Sequence, residues 1–283
     1  MTPEKWLIHP GETRVIDLDD VASLKIGLIG GQIDVVARDE PGIRIEVHEV
    51  TGKDLRIEAF GGAVDINHPQ FRWDNFLQVF SNFGSGGPKA EISVAIPRTL
   101  ALTLGVVSAG ALISGLVADA RLNTVSGDII VDGMVGDLSV NAVSGDVQVR
   151  DLTGALSVNS VSGDIAATGT ISTASIDTVS GAMLVDTAGT PHTLSTNTVS
   201  GDSTIRIEEG LPANFVMRSV GGRVTVDGFD RTGSGTTNFA GSSGVLNGSF
   251  VDVRVNSVSG DATVLRREAV HTVPTTAGDA EWE

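Results

Sequence analysis

The sequence predicts an all-β protein, a single-domain β-solenoid with coils of about 18 residues, and three observations favour this fold. The segment LNTVSGDIIV at 122–131 returns as VNAVSGDVQV at 140–149 and as VNSVSGDIAA at 158–167. Apolar and polar residues alternate within each copy, which is typical of strands. The chain also has 35 glycines but only nine Phe and three Trp, a composition that suits many tight turns between thin, regular layers.

The repeat is close to strictly periodic. The valine of the repeated turn recurs at intervals of 18, 18, 18, 18 and 20 residues. Divergent copies follow at Val220 and Ala240, and a clean one returns at Val258. Nine coils at about 4.8 Å each predict a rod segment of about 43 Å. The valines of the clean spacing are Val107, Val125, Val143, Val161, Val179 and Val199.

Each period contains two bursts of alternation, which predicts two or three short strands per coil. Val147 and Val149 share one face of a strand, Leu156 and Val158 share a face of the next, and Gly154 is predicted in the turn between them. The repeated turn is expected to need positive φ at its glycine, with Ser and Asp bonding to the local backbone. These glycines are Gly127, Gly145, Gly163, Gly181, Gly201 and Gly260.

Fixed spacing stacks like residues on one another. One expected ladder consists of amides, which satisfy each other from coil to coil; it contains Asn123, Asn141, Asn159, Asn197 and Asn256, with Asp177 in one coil. A parallel row contains Asp128, Asp146, Asp164, Asp202 and Asp261. We interpret these aspartates as turn formers. A row of calcium sites is the alternative, although the GGxGxD spacing of calcium-binding β-rolls is missing and Ala182 interrupts the row.

The solenoid domain is predicted over residues 1–265, with a regular array at 101–265. Residues 10–100 read as irregular first coils, in which the Gly-Gly pairs at 30–31 and 61–62 resemble longer-spaced copies of the repeated turn. Residues 266–283 show no alternation of apolar and polar residues and end in acidic residues, so we expect a mobile acidic tail.

An aromatic insertion at 68–88 interrupts the irregular part. Its aromatic residues recur at three and four positions, which favours a short helix or loop with one apolar face. Such a face either covers the edge of the solenoid or binds a partner. The candidate partner-binding residues are Phe71, Trp73, Phe76, Phe80 and Phe83.

Composition argues against several functions. A net charge of −16 repels nucleic acid and anionic membranes. The chain has no cysteine, its five histidines show no metal-binding pairing, and no nucleophile motif occurs. We therefore expect no enzyme, no cofactor, no metal and no small-molecule substrate. Neither a signal peptide nor a membrane-spanning segment is recognisable, which predicts a cytoplasmic protein.

Residues 90–147 carry a family resemblance. Their step from Val94 to Pro97, followed by repeated t-v-S-G-D-i-x-v coils, resembles the toastrack family, also called “putative adhesin” β-strand-repeat proteins, over residues 10–265. The resemblance implies a right-handed β-solenoid without catalytic residues. It also implies an association with bacterial cell-envelope stress systems.

These observations predict a non-enzymatic interaction scaffold that acts with a protein partner of envelope-stress or signalling systems, such as a membrane-associated stress-response protein. Self-association is a further expectation. The first alternative function is an exported surface adhesin or polysaccharide-binding module, and the second is a carbohydrate-active enzyme with carboxylates on a solenoid face.

Overall fold

The computed structural model describes residues 3–69, 87–227, 229–231, 236–246 and 248–267. Within these ranges the protein consists of strands and turns without a helix, which confirms the all-β prediction. Accordingly, this part of the chain has no helix that is long and apolar enough to cross a membrane.

The strands are, in chain order, β1 (Glu4–Ile8), β2 (Arg14–Leu18), β3 (Ser23–Arg38), β4 (Ile43–Thr51), β5 (Leu55–Phe60), β6 (Ala63–Asn67), β7 (Lys89–Pro97), β8 (Leu102–Ser114), β9 (Ala120–Thr124), β10 (Ile129–Val135), β11 (Leu138–Ser144), β12 (Val147–Ser162), β13 (Ile165–Ser180), β14 (Met183–Thr187), β15 (Thr193–Ser200), β16 (Ser203–Glu208), β17 (Ala213–Ser219), β18 (Val224–Val226), β19 (Phe229–Arg231), β20 (Thr237–Ser243), β21 (Val251–Ser259) and β22 (Ala262–Arg267).

The strands form two ladders, and each coil contributes one strand segment to each. The first ladder runs β1, β5, β6, β3, β8, β9, β11, β12, β13, β15, β21, β17, β20. The second runs β2, β4, β7, β3, β8, β10, β12, β13, β14, β16, β22, β18, β19. The long strands β3, β8, β12 and β13 take part in both. Thirteen described layers at about 4.8 Å extend over about 58 Å.

Period-two alternation builds the core between the ladders. Val140 and Val158 stack from one ladder, Val131 and Val149 stack from the other, and all four are fully or almost fully buried. The buried apolar residues between the ladders belong to one hydrophobic cluster that runs from one end of the described fold to the other. The 18-residue period is confirmed from β8 to β14, where each coil pairs with the coil 18 residues later.

One local prediction is wrong. Gly154 does not lie in a turn, because β12 is continuous from Val147 to Ser162. The strand changes ladders at a register shift next to Gly154. A glycine with φ of 150° permits this bend without breaking the backbone pairing.

At the two ends of the rod the strands do not continue the parallel, coil-by-coil order of the middle. At the first end β4 and β5 run antiparallel to β7 and β6, and β1 and β2 form the outermost layer. Gly61 and Gly62 therefore form a hairpin turn between β5 and β6, not a copy of the repeated turn. Gly30 and Gly31 do occupy the repeated position, since Gly30 pairs with Ser108.

At the second end the last parallel coil in the sequence is not the last in space. Strands β21 and β22 lie between β15/β16 and β17/β18. The predicted coil at Ala240 is wrong, because β20 pairs antiparallel with β17 as a terminal layer. Antiparallel layers thus close both ends of the parallel array, where a solenoid needs protection from further pairing.

Candidate functional site

The repeated Ser-Gly-Asp turns lie on one edge of the rod, and their glycines stack directly. A Cβ added to Gly145 would lie 2.5 Å from the carbonyl oxygen of Gly127, and φ of Gly145 is 140°. The same backbone approach recurs at Gly163, Gly181 and Gly201, with distances of 2.3, 2.1 and 2.0 Å. Positive φ is confirmed in five of the six predicted glycines; Gly127 is the exception. Close contact between coils, in addition to φ, selects glycine here.

The serine and aspartate of the turn bond to neighbouring coils, which corrects the prediction of local bonds. Ser162 Oγ donates to Val143 O at 3.2 Å, and Ser180 Oγ donates to Val161 O at 3.3 Å. In the other direction, Asp146 Oδ1 accepts a hydrogen bond of 2.9 Å from Asp164 N. The motif therefore fastens each coil to the coil on either side. Sequence position alone does not reveal this, since the partner is 18 or 19 residues away.

The first residue of each repeated turn, which precedes a serine in most coils and a glycine in two, forms an outward-facing row that we call the valine row. In spatial order it consists of Ile29, Val107, Val125, Val143, Val161, Val179, Val199, Val258 and Val220. Its first members form a small cluster separate from the core of the rod.

Exposure divides the valine row into two halves. Ile29, Val107 and Val125 are 2–4% exposed, and Val143 is partly buried against them. The other five members are 48–50% exposed, although the local sequence and strand pairing are nearly the same. Val161, Val179, Val199, Val258 and Val220 make up this bare half.

Polar ladders flank the valine row on both sides. The predicted amide ladder is confirmed: Asn141 Nδ2 donates to Asn123 Oδ1 at 3.0 Å, and Asn159 Nδ2 donates to Asn141 Oδ1 at 3.2 Å. It continues through Asp177, to which Asn197 donates at 2.7 Å. On the other side runs the aspartate row, whose members Asp128, Asp146, Asp164 and Asp202 are exposed.

The buried half of the valine row adjoins the two ends of the aromatic insertion. His68 N donates to Gly27 O at 3.1 Å, and His68 Nδ1 accepts from Ile29 N at 3.2 Å. At the returning end Pro88 is buried and borders Gly30. The predicted partner-binding residues Phe71, Trp73, Phe76, Phe80 and Phe83 lie outside the described residues, as does most of the predicted tail.

His68 is buried at the base of this segment, and burial lowers its pKa to about 4. Nδ1 accepts a hydrogen bond, so Nε2 carries the proton of the neutral ring. Nε2 is buried without a hydrogen-bond partner among the described residues. We interpret His68 as a neutral anchor of the insertion.

Two other histidines make polar contacts that the sequence did not indicate. His9 Nδ1 lies 3.0 Å from Asp54 Oδ1, and this hydrogen bond raises the pKa of His9. His48 Nε2 lies 2.9 Å from Ser93 Oγ on an exposed strand surface. Nucleophilic catalysis would also need a group that orients the histidine, but the nearby Glu46 bonds to Arg44 at 2.6 Å.

The aspartate row does not converge on a common point. In the described ranges no group of three or more His, Asp or Glu side chains is placed to hold a metal ion. Asp128, Asp146 and Asp164 each direct Oδ1 at a backbone N–H of the next coil. These contacts favour the structural interpretation over the calcium alternative.

Comparison with known proteins supports the family resemblance. Residues 25–265 match the Toastrack family, DUF4097. No curated protein matches the sequence significantly.

Several solved structures show similarity at low identity. A “putative adhesin” from Bacteroides fragilis is 12% identical, with 92% of this chain and 97% of that chain covered and a TM-score of 0.47. A “putative adhesin” from Parabacteroides merdae is 14% identical, with coverages of 91% and 95% and a TM-score of 0.38. A “putative lipid binding protein” from Parabacteroides distasonis is 12% identical, with coverages of 89% and 96% and a TM-score of 0.37.

Proposed function

The chain belongs to the Toastrack family, DUF4097, and from this premise we propose that it is a non-enzymatic scaffold that binds a protein partner. The observation that carries the proposal is the bare half of the valine row. Five half-exposed valines stand in line on consecutive coils of a hydrogen-bonded edge. Contiguous apolar surface of this kind is typical of interaction sites.

The architecture supports a scaffold because the edge is fixed in shape. Backbone pairing, the serine and aspartate bonds and the amide ladder all join each coil to its neighbours. A surface held in this way loses little conformational entropy when a partner binds, which favours affinity.

The aromatic insertion has a separate role in this proposal. Its ends flank Ile29, and its apolar side chains are suited to cover the buried half of the valine row. Phe76 and Phe80 are assigned to this cover, whereas Trp73 and Phe83 remain candidates for partner contacts.

We place the scaffold in the cytoplasm, with a partner from the envelope-stress systems that the family resemblance suggests. A right-handed solenoid is part of the same proposal. Co-purification of a tagged full-length chain from its native cells, combined with fractionation, tests the function. We expect one stoichiometric protein partner in the cytoplasmic or membrane-associated fraction. A chain found outside the cell with glycan bound would instead establish the adhesin alternative, and absence of any stoichiometric partner would refute the scaffold.

A further inference from the structure

The bare half of the valine row has the dimensions of a short helix-binding site. Its five members occupy consecutive layers, so the row is about 19 Å long. A helix rises 1.5 Å per residue, and a segment of about 13 residues therefore spans it.

The backbone of this edge offers nothing to an incoming strand. Its peptide groups already bond from coil to coil: Gly181 N donates to Ser200 O, Gly201 N donates to Ser259 O, and Gly221 N donates to Val258 O. A partner that binds here must satisfy its own backbone hydrogen bonds. A helix does so, whereas an extended peptide does not.

The charged residues beside the bare half of the valine row indicate which charge its partner carries. Asp164, Asp202 and Asp261 lie in the coils of Val161, Val199 and Val258. Ala182 and Arg223 occupy the same position in the coils of Val179 and Val220, so this flank carries three carboxylates and one guanidinium. The ladder on the other side carries no net charge along the bare half, because Asp177 and Arg218 are its only charged members there and Asn159, Asn197 and Asn256 are neutral. A second copy of this chain fits poorly, because each copy carries a net charge of −16 and like-charged rows repel.

We infer that the bare half of the valine row binds an amphipathic helix of a partner protein, with apolar side chains on the valines and Lys or Arg side chains facing the aspartate row. Apolar contact supplies most of the affinity, and the aspartates select the partner by charge. This inference rests on the proposed scaffold function and names its surface and the chemistry of its partner.

Two synthetic 14-residue helical peptides with identical leucine positions test the inference, one with lysines along the flank and the other with glutamates in the same places. Binding is measured by fluorescence anisotropy. We expect the lysine peptide to bind and the glutamate peptide to bind at least about tenfold more weakly. Equal binding of both peptides, or binding of neither, would overturn the inference.

Matched variants localise the interaction. Val179→Glu combined with Val199→Glu should weaken binding of the lysine peptide about tenfold or more. Val135→Glu is the control, because Val135 is 46% exposed, close to the 48% of Val179 and Val199, but lies outside the valine row. Asp164→Asn combined with Asp202→Asn should reduce the salt dependence of binding. Equal weakening by Val135→Glu would contradict the inference.

Photo-crosslinking in native cells separates the inference from the proposed function. A photoreactive phenylalanine analogue at position 199 should capture the co-purifying partner, and one at position 135 should not. Capture from position 135 alone would leave the scaffold function standing and refute the helix site. A chain with no co-purifying partner would refute the function itself.

Discussion

Replacing Gly145 by alanine tests whether close contact between coils is what requires the repeated glycine. The added Cβ would lie 2.5 Å from Gly127 O and 3.0 Å from Gly127 C, within a distance that Cβ atoms essentially never adopt. Because the obstructing atoms belong to the backbone of a paired coil, they cannot move aside as a flexible side chain would.

The expected loss of stability has two parts. Holding an L-residue at φ of 140° costs about 1–3 kcal/mol. Separating two packed coils to admit a methyl group costs about 1–3 kcal/mol more. Gly145→Ala should therefore lower the free energy of unfolding by about 2–6 kcal/mol.

Two other glycines separate these contributions. Gly133 has φ of 64°, but its nearest neighbouring atom would be 4.0 Å from the new Cβ, so Gly133→Ala should cost only about 1–2 kcal/mol. Gly110 has neither positive φ nor an atom within 4 Å, and Gly110→Ala should change stability by less than about 0.5 kcal/mol.

Urea denaturation followed by circular dichroism gives the three values under identical conditions. The reasoning requires that Gly145→Ala be the most damaging and Gly110→Ala the least. If Gly145→Ala costs no more than Gly133→Ala, contact between coils is not the reason for the glycine.

Four further groups of substitutions test individual contacts. Asp146→Ala should cost about 0.5–1.5 kcal/mol because Asp164 N loses its acceptor. Asp146→Asn keeps an acceptor and should be close to wild type in urea denaturation. If calcium raised the melting temperature of the wild type but not of Asp146→Ala, the structural role of the aspartate row would be refuted. Arg266→Met should cost about 3 kcal/mol, because the half-buried guanidinium bonds to Asp227 and to the carbonyls of Glu208 and Leu211. Arg206→Met removes a more exposed guanidinium from Asp186, which keeps its ion pair with Arg267. It should therefore cost less than about 1 kcal/mol in the same assay. In the folded protein burial lowers the pKa of His68 to about 4, whereas in the unfolded chain the ring binds a proton below about pH 6.5. The stabilisation by neutral His68 should therefore be complete above pH 6.5, and the free energy of unfolding should fall by about 3 kcal/mol as the pH decreases to 4. A His68→Gln variant with the same pH dependence would exclude His68 as the cause. Phe76→Ser and Phe80→Ser should each lower stability by about 3 kcal/mol if these residues cover the rod, and unchanged thermal melts would instead move the insertion to the binding surface.

The sequence by itself determined the repeating unit of this protein. Alternation in the segments around Val140 and Val149 defined which side chains enter the core, because residues two apart in a strand share a face. The constant 18-residue interval also predicted the Asn141–Asn159 contact, since equal spacing places equal residues in register. The sequence analysis did not predict the bare half of the valine row. Val161 stands at an outward position of its strand, where the alternation calls for a polar residue, and this break could have indicated an exposed apolar row.

Only the tertiary structure decided which coil lies beside which and which valines remain bare. Strand β21 pairs with β15, 59 residues earlier, because backbone groups pair with whatever strand the chain brings alongside and not with the next copy in sequence. Val125 and Val179 have nearly the same local sequence, yet one is 4% exposed and the other 48%. The burial of a side chain depends on segments distant in sequence that pack against it, and the local sequence pattern contains no information about those segments.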